Sequence, residues 1–215
     1  MSIKHKSDRN RSIASDEYIW DIEGLTGIHK LVTEPVIKKL NSISGNHILD
    51  LGCGNGSFTH MLSSKGYSMV GMDYSFTGIE IAKKQFPLIH FEQHDAQTTL
   101  SQEHFGKYDA VISIEVIEHL LLPRKMVGNA YNALKPGGLF ILTTPFHGYW
   151  KNLALAVTNK FDDHWHPLRD FGHIKFFSKS TILELFDEFN FQSVSFSTVG
   201  RIPLFAWSMV VSAYK

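Results

Sequence analysis

The chain has 215 residues, 43% of them hydrophobic, which suits a single domain spanning residues 1–215 with one large core and excludes a disordered polypeptide. Lys and Arg number 21, as do Asp and Glu, so there is no overall basic field to hold a polyanion, and no nucleic-acid partner is expected. Cys53 is the single cysteine, which excludes an internal disulfide and a thiolate-rich zinc site and leads us to expect a cytoplasmic protein.

No signal peptide and no membrane-spanning run of about 18 or more apolar residues is expected. The first eleven residues carry Lys4, Lys6, Arg9 and Arg11 against Asp8 and read as a frayed terminus. Between residues 18 and 40, apolar side chains recur largely at helical spacing with Pro35 among them, predicting one or two helices that cover the core. In an alternative reading Tyr18 or Trp20 closes over a ligand as a lid.

The stretch HILDLGCGNGS follows. Ile48, Leu49 and Leu51 suit a buried strand, and Gly52, Gly54 and Gly56 let the chain turn sharply into a helix ended by Gly66. Such a turn at the end of a parallel strand is expected to leave backbone N–H groups free for a nucleotide-like ligand. The dinucleotide fingerprint would need a third glycine where Ser57 stands, and Asp50 suits an ammonium group better than a pyrophosphate. A strand over 67–73 then ends in Asp73, 23 residues past Asp50 (73 − 50), about where such folds place the carboxylate that holds a ribose. Ser75 is expected to cap the next helix and leave Asp73 free, with Tyr74 placed to lie against an adenine ring.

A helix over 75–86, a strand over 88–94 ending at Asp95 and Ala96, and a buried strand over 108–114 come next. Met126, Val127, Ala130, Tyr131 and Leu134 mark an amphipathic helix that the Lys135, Pro136, Gly137, Gly138 turn should stop before a strand over 139–144. Repeated strand and helix units imply parallel pairing with right-handed crossovers. Residues 145–177 show no clear period beyond a short helix over 151–157, and they hold four of the 12 histidines, His147, His164, His166 and His173. An irregular segment of this length in a compact domain usually carries function, so it is read as the acceptor-substrate region. A helix opened by Ser178 and an antiparallel hairpin of strands over 191–199 and 206–214 finish the chain.

The Asp-x-Gly-x-Gly-x-Gly pattern at 50–56, the acid at Asp73, Asp95, the 108–114 strand and the phrase LKPGGLFILTTP resemble the class I S-adenosylmethionine (SAM) dependent methyltransferases over residues 45–145. The resemblance implies an α/β, Rossmann-like doubly wound sheet of seven strands, mostly parallel with one antiparallel strand. It implies SAM as the cofactor, bound by Asp50, Gly52, Cys53, Gly54, Asp73, Tyr74, Asp95, Ala96 and Glu115, with Asp95 meeting the adenine amino group. The sequence EVIEHL is similar to the Glu-x-x-Glu-His of ubiquinone-biosynthesis O-methyltransferases and of small-RNA 2′-O-methyltransferases, which implies a divalent metal (Mg, Mn or Zn) on Glu115, Glu118 and His119. In the small-RNA group a later histidine is a fourth ligand, a part open to His164, His166 or His173.

Methyl transfer from a sulfonium is an in-line displacement, so the protein must hold acceptor and methyl together and remove a proton. His119, His147 and His173 are the candidate bases, since imidazole titrates near working pH. The expected activity is O-methylation of a small hydroxylated acceptor. The alternatives are a metal-independent sugar or N-methyltransferase, a non-catalytic SAM-binding module and an NAD-linked oxidoreductase. The oligomeric state is not legible in the sequence.

Overall fold

The computed structural model describes residues 24–215 together with Tyr18 and Trp20. The expected frayed terminus, and Ile19 and Ile22 of the predicted helical cover, lie outside the described residues. The elements run α1 (Gly27–Leu40), β1 (His47–Leu51), α2 (Ser57–Ser63), β2 (Ser68–Asp73), α3 (Phe76–Gln85), β3 (His90–Gln93), β4 (Tyr108–Ile114), α4 (Pro123–Ala133) and β5 (Leu134–Pro145). They continue with α5 (Tyr149–Val157), α6 (Phe161–Trp165), α7 (Lys179–Asp187), β6 (Gln192–Val199) and β7 (Ser208–Tyr214).

The strands form one seven-stranded sheet in the order β3-β2-β1-β4-β5-β7-β6. The first five pair in parallel, and β7 runs antiparallel to both β5 and β6. Successive side chains of a strand point to opposite faces, so the same strands feed two cores. Leu49, Leu51, Val111, Phe140 and Leu142 pack on one side with α4 and α7 through Met126, Ile182 and Phe186. Ile48, Ala110, Ile112, Leu139 and Ile141 pack on the other with α1 through Val32, Val36 and Leu40. Cover on both faces is why the central strands are apolar without alternation.

Two features differ from the sequence expectation, and one reading left open between one helix and two is decided. The N-terminal cover is a single helix with Pro35 inside it, because Val32, Val36 and Leu40 share one buried face that holds the turns together across the missing N–H. The segment Lys135–Gly138 does not precede β5 but lies within it: Leu134 already pairs with Tyr108, and Gly137, at φ +74°, lets the strand bulge before regular pairing resumes. Helix α6 was not anticipated, since its five residues are too few to show a period.

The strand order reverses between β1 and β4, and such a switch point opens a crevice beyond the carboxyl ends of those strands. The turn after β1 and the EVIEHL stretch after β4 therefore face each other. A Cβ on Gly52 would lie 2.9 Å from Val116 Cγ1, so glycine is required there by the close approach as well as by a φ of +92°.

Candidate active site

The glycine turn is tied down more fully than expected. The N–H groups of Gly52 and Cys53 both donate to the Met72 carbonyl, at 2.7 and 2.9 Å, and that of Gly54 donates to Asp73 Oδ2 at 2.8 Å. These donors are engaged because β2 runs alongside and its terminal acid reaches back across the turn. Ser75 caps α3 as expected, accepting from the Gly78 N–H. Asp73 is nevertheless committed to the backbone, since Oδ1 accepts from the Ser75 N–H at 2.8 Å. Asp73 thus fixes the turn and α3 relative to each other, with its carboxylate at the mouth of the crevice.

Asp50 does not face the crevice. It is 1% exposed and accepts a 2.7 Å hydrogen bond from Thr59 Oγ1, and burial pushes its carboxyl up to about 7. Cys53 is buried, and its thiol is likewise held well above its ordinary range by burial. Tyr74 is partly exposed beside Asp73, and its carbonyl accepts from Gln93 Nε2. Asp95 builds a turn, with Oδ1 accepting from the Gln97 N–H at 2.8 Å, and the buried Ala96 is held through its carbonyl by Asn129 Nδ2 at 2.9 Å. Trp20, read in the sequence as part of a cover or a lid, lies against the glycine turn. A Cβ on Gly54 or on Gly78 would come within 2.9 Å of its indole.

Beyond β4 the chain turns sharply at Glu115, a non-glycine residue at φ +55° and so in the sparsely populated left-handed region. Its side chain leaves the expected ligand group and accepts from Ser208 Oγ at 2.5 Å. Burial raises its carboxyl, opposed by bonds from Ser208 and Thr143 and by the charge of Lys151. Glu118 and His119 stand on a single 3-10 turn, Ile117–His119. Glu118 is fully buried, Oε2 accepts from Thr144 Oγ1 at 3.0 Å, and Oε1 has no hydrogen-bond partner. Burial first, and then Glu115, drive its carboxyl well above the usual range.

The end of the histidine-rich segment is stitched to this turn. The Glu118 carbonyl accepts from the N–H groups of Ile174 and Lys175, at 2.9 and 3.0 Å. His119 Nδ1 lies 2.9 Å from the Phe171 carbonyl and 3.1 Å from that of Gly172, which fixes it as the protonated nitrogen and leaves Nε2 with a lone pair. This stitching places His173 beside His119, with ring centroids 4.9 Å apart and His173 Nε2 4.0 Å from Glu118 Oε1. One ligand atom each from Glu118, His119 and His173 therefore lies within 4.8 Å of the others. Of the expected metal ligands, Glu118 and His119 come together and Glu115 does not. Of the three later histidines, His173 joins them.

His147 forms a second cluster with His164, Trp165 and Phe176, at centroid distances of 5.7, 6.2 and 5.1 Å. Burial brings the His147 and His173 imidazoles down to about 4, so both are neutral at working pH. Neither nitrogen of the buried His147 has a well-formed hydrogen bond, and the same holds for Asn152 Oδ1 and Trp165 Nε1. His166 stands apart, exposed and at φ +45°. Sequence reasoning passed over Lys151, whose Nζ donates to the Phe146 carbonyl at 2.9 Å and whose charge acts on Glu115, His147, His164 and His173. Burial lowers its pKa to about 8. Its place at the start of a short apolar helix gave no pattern to find it by.

A doubly wound sheet with a glycine turn, an acid at the end of β2 and a polar cluster beyond β4 defines the nucleotide-type crevice of the Rossmann-like α/β proteins. The family described as "Methyltransferase domain" matches residues 28–195, and the chain belongs to it. A ubiquinone biosynthesis O-methyltransferase of Bradyrhizobium sp. (strain ORS 278) is 34% identical over 121 residues, 56% of this chain and 47% of that protein. The same-named protein of Rickettsia typhi is 29% identical over 182 residues, 80% of this chain and 74% of its own. The chain thus spans about half the length of the first of these relatives. Among solved structures, a SAM dependent methyltransferase from Archaeoglobus fulgidus superposes with a TM-score of 0.64 at 14% identity, covering 87% of this chain and 94% of its own. At that identity the likeness concerns the fold. No described helix is long and apolar enough to cross a membrane.

Proposed function

We propose that the chain is a SAM-dependent methyltransferase that O-methylates a small hydroxylated acceptor, with a divalent ion on Glu118, His119 and His173. The observation that carries this reading is the convergence of a buried carboxylate with an unpartnered Oε1 and two imidazole nitrogens at the switch-point crevice. One oxygen and two nitrogen donors suit Mn²⁺ or Zn²⁺ better than Mg²⁺. When bound, such an ion lowers the pKa of a coordinated acceptor hydroxyl.

The protein's own groups do the rest. Asp73, Tyr74, Asp95 and Ala96 line the place for the ribose and adenine, and Gly52 and Gly54 carry no Cβ on the turn beside it. The Phe171 and Gly172 carbonyls hold His119 through Nδ1 and leave Nε2 for a ligand. The names of the curated relatives support oxygen as the methylated atom, and the lone buried thiol of Cys53 supports a cytoplasmic setting. A second reading rests on His147, neutral, buried and without a well-formed hydrogen bond, as a metal-independent base.

Isothermal titration of metal-stripped protein with SAM, then Mn²⁺ and Zn²⁺, followed by methyl transfer to catechol, tests the proposal. SAM binding with metal-dependent transfer that Glu118→Gln and His173→Ala both abolish is the expected result. Metal-independent transfer lost in His147→Ala would move the chemistry to that histidine. Absence of SAM binding would overturn the reading.

A further inference from the structure

A second group of ligand-type side chains lies at the β3 edge of the sheet. Phe91 faces inward onto Ile79 and Ala82, so His90 and Glu92, its neighbours on either side, share the opposite face of the strand. His94 lies just past the end of the strand, close enough for the charges of Glu92 and His104 to act on it. Across from them stands His104, the last residue of the 3-10 turn Gln102–His104. Its Nδ1 is 2.7 Å from the hydroxyl of the buried Tyr108, and this contact orients the ring so that Nε2 approaches Glu92 Oε2 at 3.3 Å. His90 Nε2 lies 3.9 Å from the same oxygen. His104 Nε2 and His94 Nε2 are both buried without a well-formed hydrogen bond.

A buried imidazole nitrogen without a well-formed hydrogen bond calls for an explanation, and here two occur in one patch beside a carboxylate. They belong neither to the cofactor crevice nor to the acceptor region. The edges of a tetrahedral zinc site run to about 3.3–3.6 Å when the donors stand about 2.0–2.2 Å from the ion, and the Glu92 to His104 contact already has that length. Tyr108 supplies the outer-shell bond that commonly fixes a ligating histidine. Burial keeps the His94 imidazole below its ordinary pKa, in the neutral form that ligates.

We propose that Glu92, His94 and His104, with His90 at the exposed rim, form a second divalent-ion site of the zinc type, separate from Glu118, His119 and His173. The set is open as it stands: among the described residues only the Glu118 group has all its donors gathered. The site requires the His94 ring and the largely exposed His90 ring to rotate toward Glu92 on binding. An ion held there ties the edge strand β3 to the turn that leads into β4. It also braces His94, which directly precedes Asp95 and Ala96.

The test uses a full-length protein carrying His119→Ala and His173→Ala, so that the first group cannot bind. Titration with Zn²⁺ by calorimetry and with Co²⁺ by visible absorption is expected to give one equivalent with a four-coordinate cobalt spectrum. His94→Ala and Glu92→Gln each weaken that binding tenfold or more, and Tyr108→Phe, which leaves every ligand in place, weakens it by about tenfold. Circular dichroism identical to the parent confirms that each variant is folded. No bound equivalent in the parent, or full retention in Glu92→Gln and His94→Ala, overturns the proposal and leaves His104 as a hydrogen-bonded strut. Neither result depends on SAM binding or methyl transfer.

Discussion

Replacing Asp50 by Asn isolates the cost of burying a carboxyl beneath the glycine turn. Asp50 is 1% exposed and titrates at about 7 in the fold, against 3.8 for the unperturbed group. Between those values the unfolded chain gives up a proton that the folded chain keeps, so stability falls as pH rises through this window and levels off above about 7. At 1.36 kcal/mol per unit, the penalty is about 2 kcal/mol at about pH 5 and about 4 kcal/mol at about pH 8. Asn keeps an acceptor for Thr59 and has no proton to lose. Urea denaturation of both proteins at these two pH values should therefore show the variant gaining about 2–3 kcal/mol on the wild type between them. Other titrating groups cancel in the difference, as does any fixed cost of the amide. A difference that does not change with pH would show Asp50 to be ionised in the folded state and refute its placement against Thr59 in a dry site.

His147 should show the opposite sign. With about 4 in the fold against 6.5 unperturbed, its contribution is lost as pH falls below 6.5, about 2 kcal/mol by about pH 5, and His147→Phe should flatten that acid limb in urea melts. Gly54→Ala forces a Cβ against the Trp20 indole at a φ of +56° and should lower stability by about 1–3 kcal/mol in urea melts, with weaker SAM binding by calorimetry. Phe140→Ala removes a fully buried ring stacked on Phe186 and Phe191 at 5.4 and 5.5 Å, and should cost about 3–5 kcal/mol in a transition that stays cooperative.

Helices and strands along most of the chain were legible because their signals are local. A strand buried on both faces must be apolar throughout, as with Ile48 to Leu51, and a chain turning sharply against Val116 must use glycine at Gly52. The family likeness was legible for the same reason, since the turn after β1 and the acid ending β2 fall within a short span. The interior of β5 was not, because Gly137 serves equally to end a helix or to bulge a strand. Only the tertiary structure could decide which groups meet. His173 reaches Glu118 because backbone bonds from Ile174 and Lys175 pin a distant loop to the turn after β4, and no periodicity encodes that docking. Glu115 leaves the expected ligand set for Ser208, a residue 93 positions away that the antiparallel insertion of β7 brings alongside. The sequence by itself determined the fold and the glycine turn, because both rest on local backbone geometry and burial. The composition of the Glu118, His119 and His173 cluster was decided by the tertiary structure, because its donors come from segments that meet only once the sheet has formed.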